Sequence, residues 1–113
     1  MPGSNAAVLF TGAGLPVASF QAFTSSGSDL STYTFAGAAI GTAAGNRYVI
    51  VAPTSIVVGT ATISSVTVGG VTATILAQVA NGTRGVAGIA IALVPTGTTG
   101  DIVVVYSTGQ IRA

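Results

Sequence analysis

From Thr62 to Ala80 the chain spells out two β-strands and the turn between them. Ile63, Ser65 and Thr67 alternate with Ser64, Val66 and Val68, and after Gly69-Gly70 the run resumes as Val71, Thr72, Ala73, Thr74 and Ile75. A Gly-Gly link between two such runs signals a hairpin, because both residues reach positive φ without a Cβ clash. The same grammar extends on both sides. Strands are expected over residues 32–35, 47–52, 62–68, 72–79, 86–94 and 102–107, separated by Ala44-Gly45-Asn46, Pro53-Thr54, Gly69-Gly70, Asn81-Gly82 and Pro95-Thr96-Gly97.

Alternation assigns faces to these strands. Between Val86 and Val94, Ile89, Ile91 and Leu93 share one face and Ala90 and Ala92 the other, a period of two that a helix does not produce. Tyr48, Ile50 and Ala52 oppose Val49 and Val51, so both faces of that strand are apolar, which fits the middle of a sandwich or a seat under a partner subunit. The Ser, Thr, Val and Gly density leaves no window for a surface helix. The expectation is an all-β chain folding as a single β-sandwich, of immunoglobulin-like or jelly-roll type. Residues 1–28 read as an extended N-terminal arm, with the flexible stretch Thr24-Ser25-Ser26-Gly27-Ser28 at its end, and residues 29–113 as the sandwich domain.

Composition limits the partners. Charged residues are 4% of the 113 and hydrophobic residues 50%, where an ordinary soluble domain carries about 25% charged. With a net charge of +1, colloidal repulsion is weak, and burial of much of the surface in a homo-oligomer is expected. Three arginines and no lysine do not make a phosphate-binding patch, which excludes nucleic acid as an expected ligand. The longest strongly apolar stretch, residues 86–94, contains Gly88 and falls far short of the roughly 20 residues of a spanning helix, so no membrane insertion is expected. The absence of Cys removes disulfides. Residues 1–10 lack a basic segment and a long apolar run, so assembly in a cytoplasm is the expectation.

Chemistry at neutral pH needs a titratable base, a nucleophile or a metal, and the chain has no His, Cys, Lys or Glu. Asp29 and Asp101 are the only acids; neither stands in an Asp-Thr-Gly context, and Asp101 reads as the residue that opens a strand. A calcium site using Asp101 and carbonyls of the 96–100 loop would have a single carboxylate. Gly12-Ala13-Gly14 lacks the third glycine of a dinucleotide fingerprint, and Asn81-Gly82-Thr83 reads as a turn. No catalytic, cofactor or metal residues are therefore assigned. The candidate interface residues are Phe10, Phe20 and Phe23 on the arm, Arg47 at a strand start, Arg84 in a turn and Tyr106 on the last strand. Arg47 is expected either solvated at the sheet end or paired with Asp29 or Asp101. Tyr33, Tyr48 and Tyr106 offer an alternative use, a stacking platform for sugars.

One succession of segments is specific in its order and spacing: Thr32-Tyr33-Thr34-Phe35, Ile40-Gly41-Thr42-Ala43-Ala44, Asn46-Arg47-Tyr48-Val49-Ile50-Val51, Ile63-Ser64-Ser65-Val66-Thr67-Val68-Gly69-Gly70-Val71 and Val94-Pro95-Thr96-Gly97-Thr98-Thr99. Over about residues 29–109 it resembles a family of small β-rich tailed-bacteriophage virion proteins of tail, fibre or decoration type. The resemblance implies a non-enzymatic structural module of a phage particle, partnered by itself and by other virion proteins such as the major capsid or tail protein. Two alternatives stand beside it: a decoration protein clamping capsomers, and a module binding host-surface glycan. Proteins of this kind continue with a further apolar segment where this chain ends at Gln110-Ile111-Arg112-Ala113, so completion of the sandwich by a neighbour's strand, with residues 6–23 as donor, is expected.

Overall fold

The structure, a computed structural model, describes residues 16–113. Eight strands follow one another without a helix among the described residues: β1 (Leu30–Ala39), β2 (Tyr48–Val51), β3 (Thr54–Ile56), β4 (Ile63–Val68), β5 (Val71–Thr72), β6 (Thr74–Ala80), β7 (Gly85–Leu93) and β8 (Thr99–Gln110). All pairings are antiparallel and fall into two sheets. Sheet A has the order β1-β8-β4-β5. In sheet B, β7 is central, with β6 on one side and β2 and β3 on the other. The two sheets pack as a sandwich around one core, as the alternation of the sequence requires.

Each link between elements has a local cause. Gly69 and Gly70 stand at φ +56° and +82° and reverse β4 into β5 as expected of Gly-Gly. The strand expected over residues 72–79 is divided. β5 pairs in sheet A, Ala73 turns the corner with its N–H donating to Val66 O at 2.8 Å, and β6 continues in sheet B. One continuous β-run thus serves both sheets, which the sequence pattern of unbroken β-formers does not reveal.

Pro53 had the opposite effect on expectation, reading as a turn. It interrupts an edge strand instead: β2 and β3 lie in succession along the same side of β7, and Pro53 O accepts from Gly88 N between them at 2.9 Å. Proline is tolerated there because it carries no donor and sits at an edge.

The chain end is also used. After β8, which extends three residues beyond the expected strand at each end and pairs with β1 along nearly its whole length, residues 111–113 cross to the edge of β3. Ile111 N–H donates to Ile56 O at 2.7 Å and Ile56 N–H to Arg112 O at 2.9 Å, while Ser26 and Ala113 exchange both backbone bonds. The free edge expected near the C-terminus is therefore covered along β3 by the chain's own tail.

Sheet A supplies the bulk of the core. Tyr33, Ile63, Val66, Val68, Val104 and Tyr106 point inward, with Tyr33 edge-on to Tyr106 at 5.9 Å between ring centroids. Sheet B answers with small residues, Ala90, Ala92 and Gly88 along the centre of β7. A Cβ at Gly88 would lie 2.6 Å from Ile63 Cδ1, so at this position sheet A leaves no room for a side chain, while Val49, Val51, Ile75 and Val86 fill the core toward the ends and edges of sheet B.

Candidate functional site

The inward choice of small residues in β7 fixes what sheet B shows to its surroundings. Strand residues that pair directly share a face. Tyr48 pairs with Leu93, Ile50 with Ile91, Ile91 with Thr74, Ile89 with Ala77, and Ala87 with Val79. These residues form the outer face of sheet B, joined by Leu76 at the bulge in β6. They are exposed despite their size: Tyr48 60%, Ile50 59%, Leu76 58%, Val79 69%, Ile89 39% and Leu93 43%.

Sheet A's outer face is of another kind. Val103 and Val105 lie along the middle strand, and the pairs on either side are Thr32 and Thr34 on β1 and Ser65 and Thr67 on β4. Hydroxyl-bearing neighbours hydrate that face, whereas the outer face of sheet B has hydroxyls only at its margins, on Thr54, Thr74 and Tyr48. The two-sided apolar pattern of residues 48–52 thus has its explanation: Val49 and Val51 pack on the core, and Tyr48 and Ile50 belong to an uncovered face.

A second apolar feature is the mouth between the edge strands β1 and β2. There a cleft of about 910 Å³ is lined by inward-facing Phe35, Val49, Ile102 and Tyr106 and bordered by arm residues 17–24. Phe20 and Phe23, two of the candidate interface residues, stand beside this cleft with their rings 82% and 83% exposed. The third arm candidate, Phe10, lies outside the described residues, as does most of the donor segment 6–23.

Arg47 is neither solvated nor paired with an aspartate. Its Nε donates to Val94 O at 2.7 Å, one terminal nitrogen to Gly41 O at 2.8 Å and Gly97 O at 2.7 Å, and the other to Thr96 O at 2.8 Å. The guanidinium therefore braces the two loops that carry the chain from β1 to β2 and from β7 to β8. Two carbonyls that a calcium ion in the 96–100 loop would draw on are already taken by this cation.

Tyr106 is likewise internal. Its ring is in the core and its hydroxyl donates to Thr54 O at 3.2 Å. Burial pushes the phenol above the ordinary tyrosine range; a hydrogen bond with Ser55 opposes the rise and nearby Tyr33 adds to it. Beside it Gln110, buried, accepts from the Ser55 hydroxyl at 2.6 Å and donates to Thr108 O at 2.7 Å. With Tyr33 and Tyr106 inside, only Tyr48 of the three tyrosines is on the surface, and the expected stacking platform is not assembled.

Arg84 alone among the charged candidates keeps an exposed position. It stands in the β6-β7 loop, beside a shallow hollow shared with Ile56, Val79 and Ala87 at one end of sheet B. The aspartates do not meet. Asp29 precedes β1, and Asp101 lies near the other end of the β1-β8 pair, where its carboxylate accepts from Gly37 N at 2.9 Å. About eight residues of strand, roughly 27 Å, separate those ends. No group of three His, Cys, Asp or Glu side chains comes together among the described residues.

Sequence reasoning missed two devices. Arg47 is one, because a strand-opening arginine gives no sign of four carbonyls converging on it. Gln78 is the other: its amide accepts from Ile63 N at 2.7 Å and donates to Ile63 O at 3.1 Å, closing the free edge at the start of β4 from the opposite sheet.

Fold and surface together define a class, an antiparallel two-sheet β-sandwich with one hydroxyl-rich outer face and one apolar outer face. Comparison with protein-family models, with curated proteins and with solved structures finds no match to the chain.

Proposed function

We propose that this chain is a non-enzymatic structural component of a tailed-phage virion, a self-associating β-sandwich of the tail, fibre or head surface. One observation supports the adhesive part of this reading above the rest: β7 turns Ile89, Ile91 and Leu93 outward and Ala90 and Ala92 inward. A monomer gains nothing from that inversion, because large apolar groups left in water forgo about 25 cal/mol per Å² of burial. An assembly that covers the face recovers it. The virion setting comes from the sequence resemblance, and the module is synthesised in the host cytoplasm before it joins the particle.

Labelling tests the setting. Gold-tagged antibody against the chain, applied to purified particles from cells producing it, is expected to decorate a defined part of the particle in electron micrographs. Label on the head lattice would favour the decoration variant, label on tail or fibres an appendage. Particles without label, with the chain recovered only free in the lysate, would reject the virion reading.

A further inference from the structure

We infer that the outer face of sheet B is covered by the same face of a second copy, packed sheet on sheet about a twofold axis. The inference rests on the self-associating reading above and names the partner and the seam. Three observations carry it.

The first is area. At about 200 Å² for a fully exposed large side chain, the exposed fractions of Tyr48, Ile50, Leu76, Val79, Ile89 and Leu93 leave roughly 650 Å² per copy. That exceeds the roughly 300–600 Å² of the largest apolar patch on a typical monomer. Two copies face to face would remove roughly 1,300 Å² from water, within the range of about 1,200–2,000 Å² of a specific stable interface.

The second is chemistry. None of these side chains is charged, and the pairs that build the face add only alanines, Ile56, Ile91, Thr54 and Thr74. A surface without charge carries no electrostatic selectivity for a different partner, and it meets an identical surface without repulsion. Packing against itself also satisfies the twofold requirement that one patch serve both sides.

The third is the position of Arg84. It lies at one end of the face, in the loop that precedes β7. If the twofold axis runs in the plane between the sheets and across the strands, the two β7 strands are antiparallel. The two arginines then lie at opposite ends of the seam, in solvent. An axis along the strands would bring both cations to the same end. The geometry therefore selects the crosswise axis, with Ile89 and Ile91 at its centre and the sheets about 10 Å apart.

Sedimentation equilibrium on the full chain between about 1 and 100 μM tests this. The wild type is expected to be a dimer, Ile89→Asp to be monomeric with its association weakened at least 100-fold, and Thr34→Asp, on the outer face of sheet A, to remain dimeric. Far-UV circular dichroism checks that each variant is folded. If Ile89→Asp does not fold, Ile50→Thr replaces it and is expected to weaken association about tenfold. Association unchanged in a folded Ile89→Asp or Ile50→Thr would overturn the seam while leaving self-association intact. A wild type monomeric at 100 μM would overturn the second copy as the occupant, and labelled particles would then still support the structural role.

Discussion

Removing the Arg47 fork should loosen the sandwich more than any other single surface-accessible change. Arg47→Met keeps an unbranched stem and deletes the guanidinium, so the cost is that of the four hydrogen bonds. The bonds to Val94 O and Gly41 O are half-buried and those to Thr96 O and Gly97 O are exposed. At about 1–1.5 kcal/mol for each half-buried bond and about 0.5 kcal/mol for each exposed one, the loss is about 3–4 kcal/mol. For a domain of this size that lowers the melting temperature by roughly 12–30 °C. The assay is equilibrium urea unfolding followed by far-UV circular dichroism and tyrosine emission, with protein concentration held constant because association adds to apparent stability. Arg47→Lys should recover less than half of the loss, since an ammonium has three donors and cannot span four carbonyls held in a fork. A loss below about 1 kcal/mol, with an unchanged denaturant slope, would refute the argument and mean that water replaces the guanidinium freely.

Close approaches at two glycines of β7, one to the neighbouring strand β3 and one to sheet A, predict an order between their alanine variants. Gly85→Ala would drive a Cβ into Ser55 O, a backbone atom, and Gly88→Ala would bring one to within 2.6 Å of Ile63 Cδ1, the end of a flexible side chain. Thermal melts should show Gly85→Ala the more damaging, Gly88→Ala costing about 1–3 kcal/mol and being partly rescued by Ile63→Val; an absence of rescue would contradict the proposed contact. The buried Tyr106 phenol predicts alkaline sensitivity. With its folded pKa above the unfolded value of about 10, the unfolded chain loses its proton first, so stability is full below about pH 10 and falls as pH rises through the folded pKa. Tyr106→Phe should flatten the drop in melting temperature between pH 9 and 11, and an equally steep drop would refute the assignment. Self-association should change little between 0.05 and 1 M NaCl, because the seam contains no ion pair to screen; sedimentation showing dissociation at high salt would contradict an apolar seam.

The alternation of residues 63–68 and 86–93 and the Gly69-Gly70 and Asn81-Gly82 turns were legible from the sequence. Each rests on short-range rules: side chains alternate across a strand, and glycine accepts positive φ. The apolar partitioning of residues 48–52 was legible too, as two apolar faces. Which of those faces would lie in the core was not, since both carry β-branched or aromatic residues.

Other assignments needed distant partners. Tyr106 was expected at an interface and is in the core, because its inward register is set by pairing with Ile63 across sheet A. Arg47 was expected in solvent or beside an aspartate, and is held by carbonyls up to 50 residues away. The run from Val71 to Ala80 changes sheets at Ala73 for a reason that lies in the N–H to Val66 O bond and not in its own residues.

By itself, then, the order of residues determined that this protein is all-β, that it turns at Gly69-Gly70 and Asn81-Gly82, and that it contains no His, Cys, Lys or Glu. Only the tertiary structure decided that the large side chains of β7 face outward. Inside and outside are defined by what stands opposite, and along the middle of β7, where Ile63 of sheet A reaches Gly88, the inward positions are glycine and alanine.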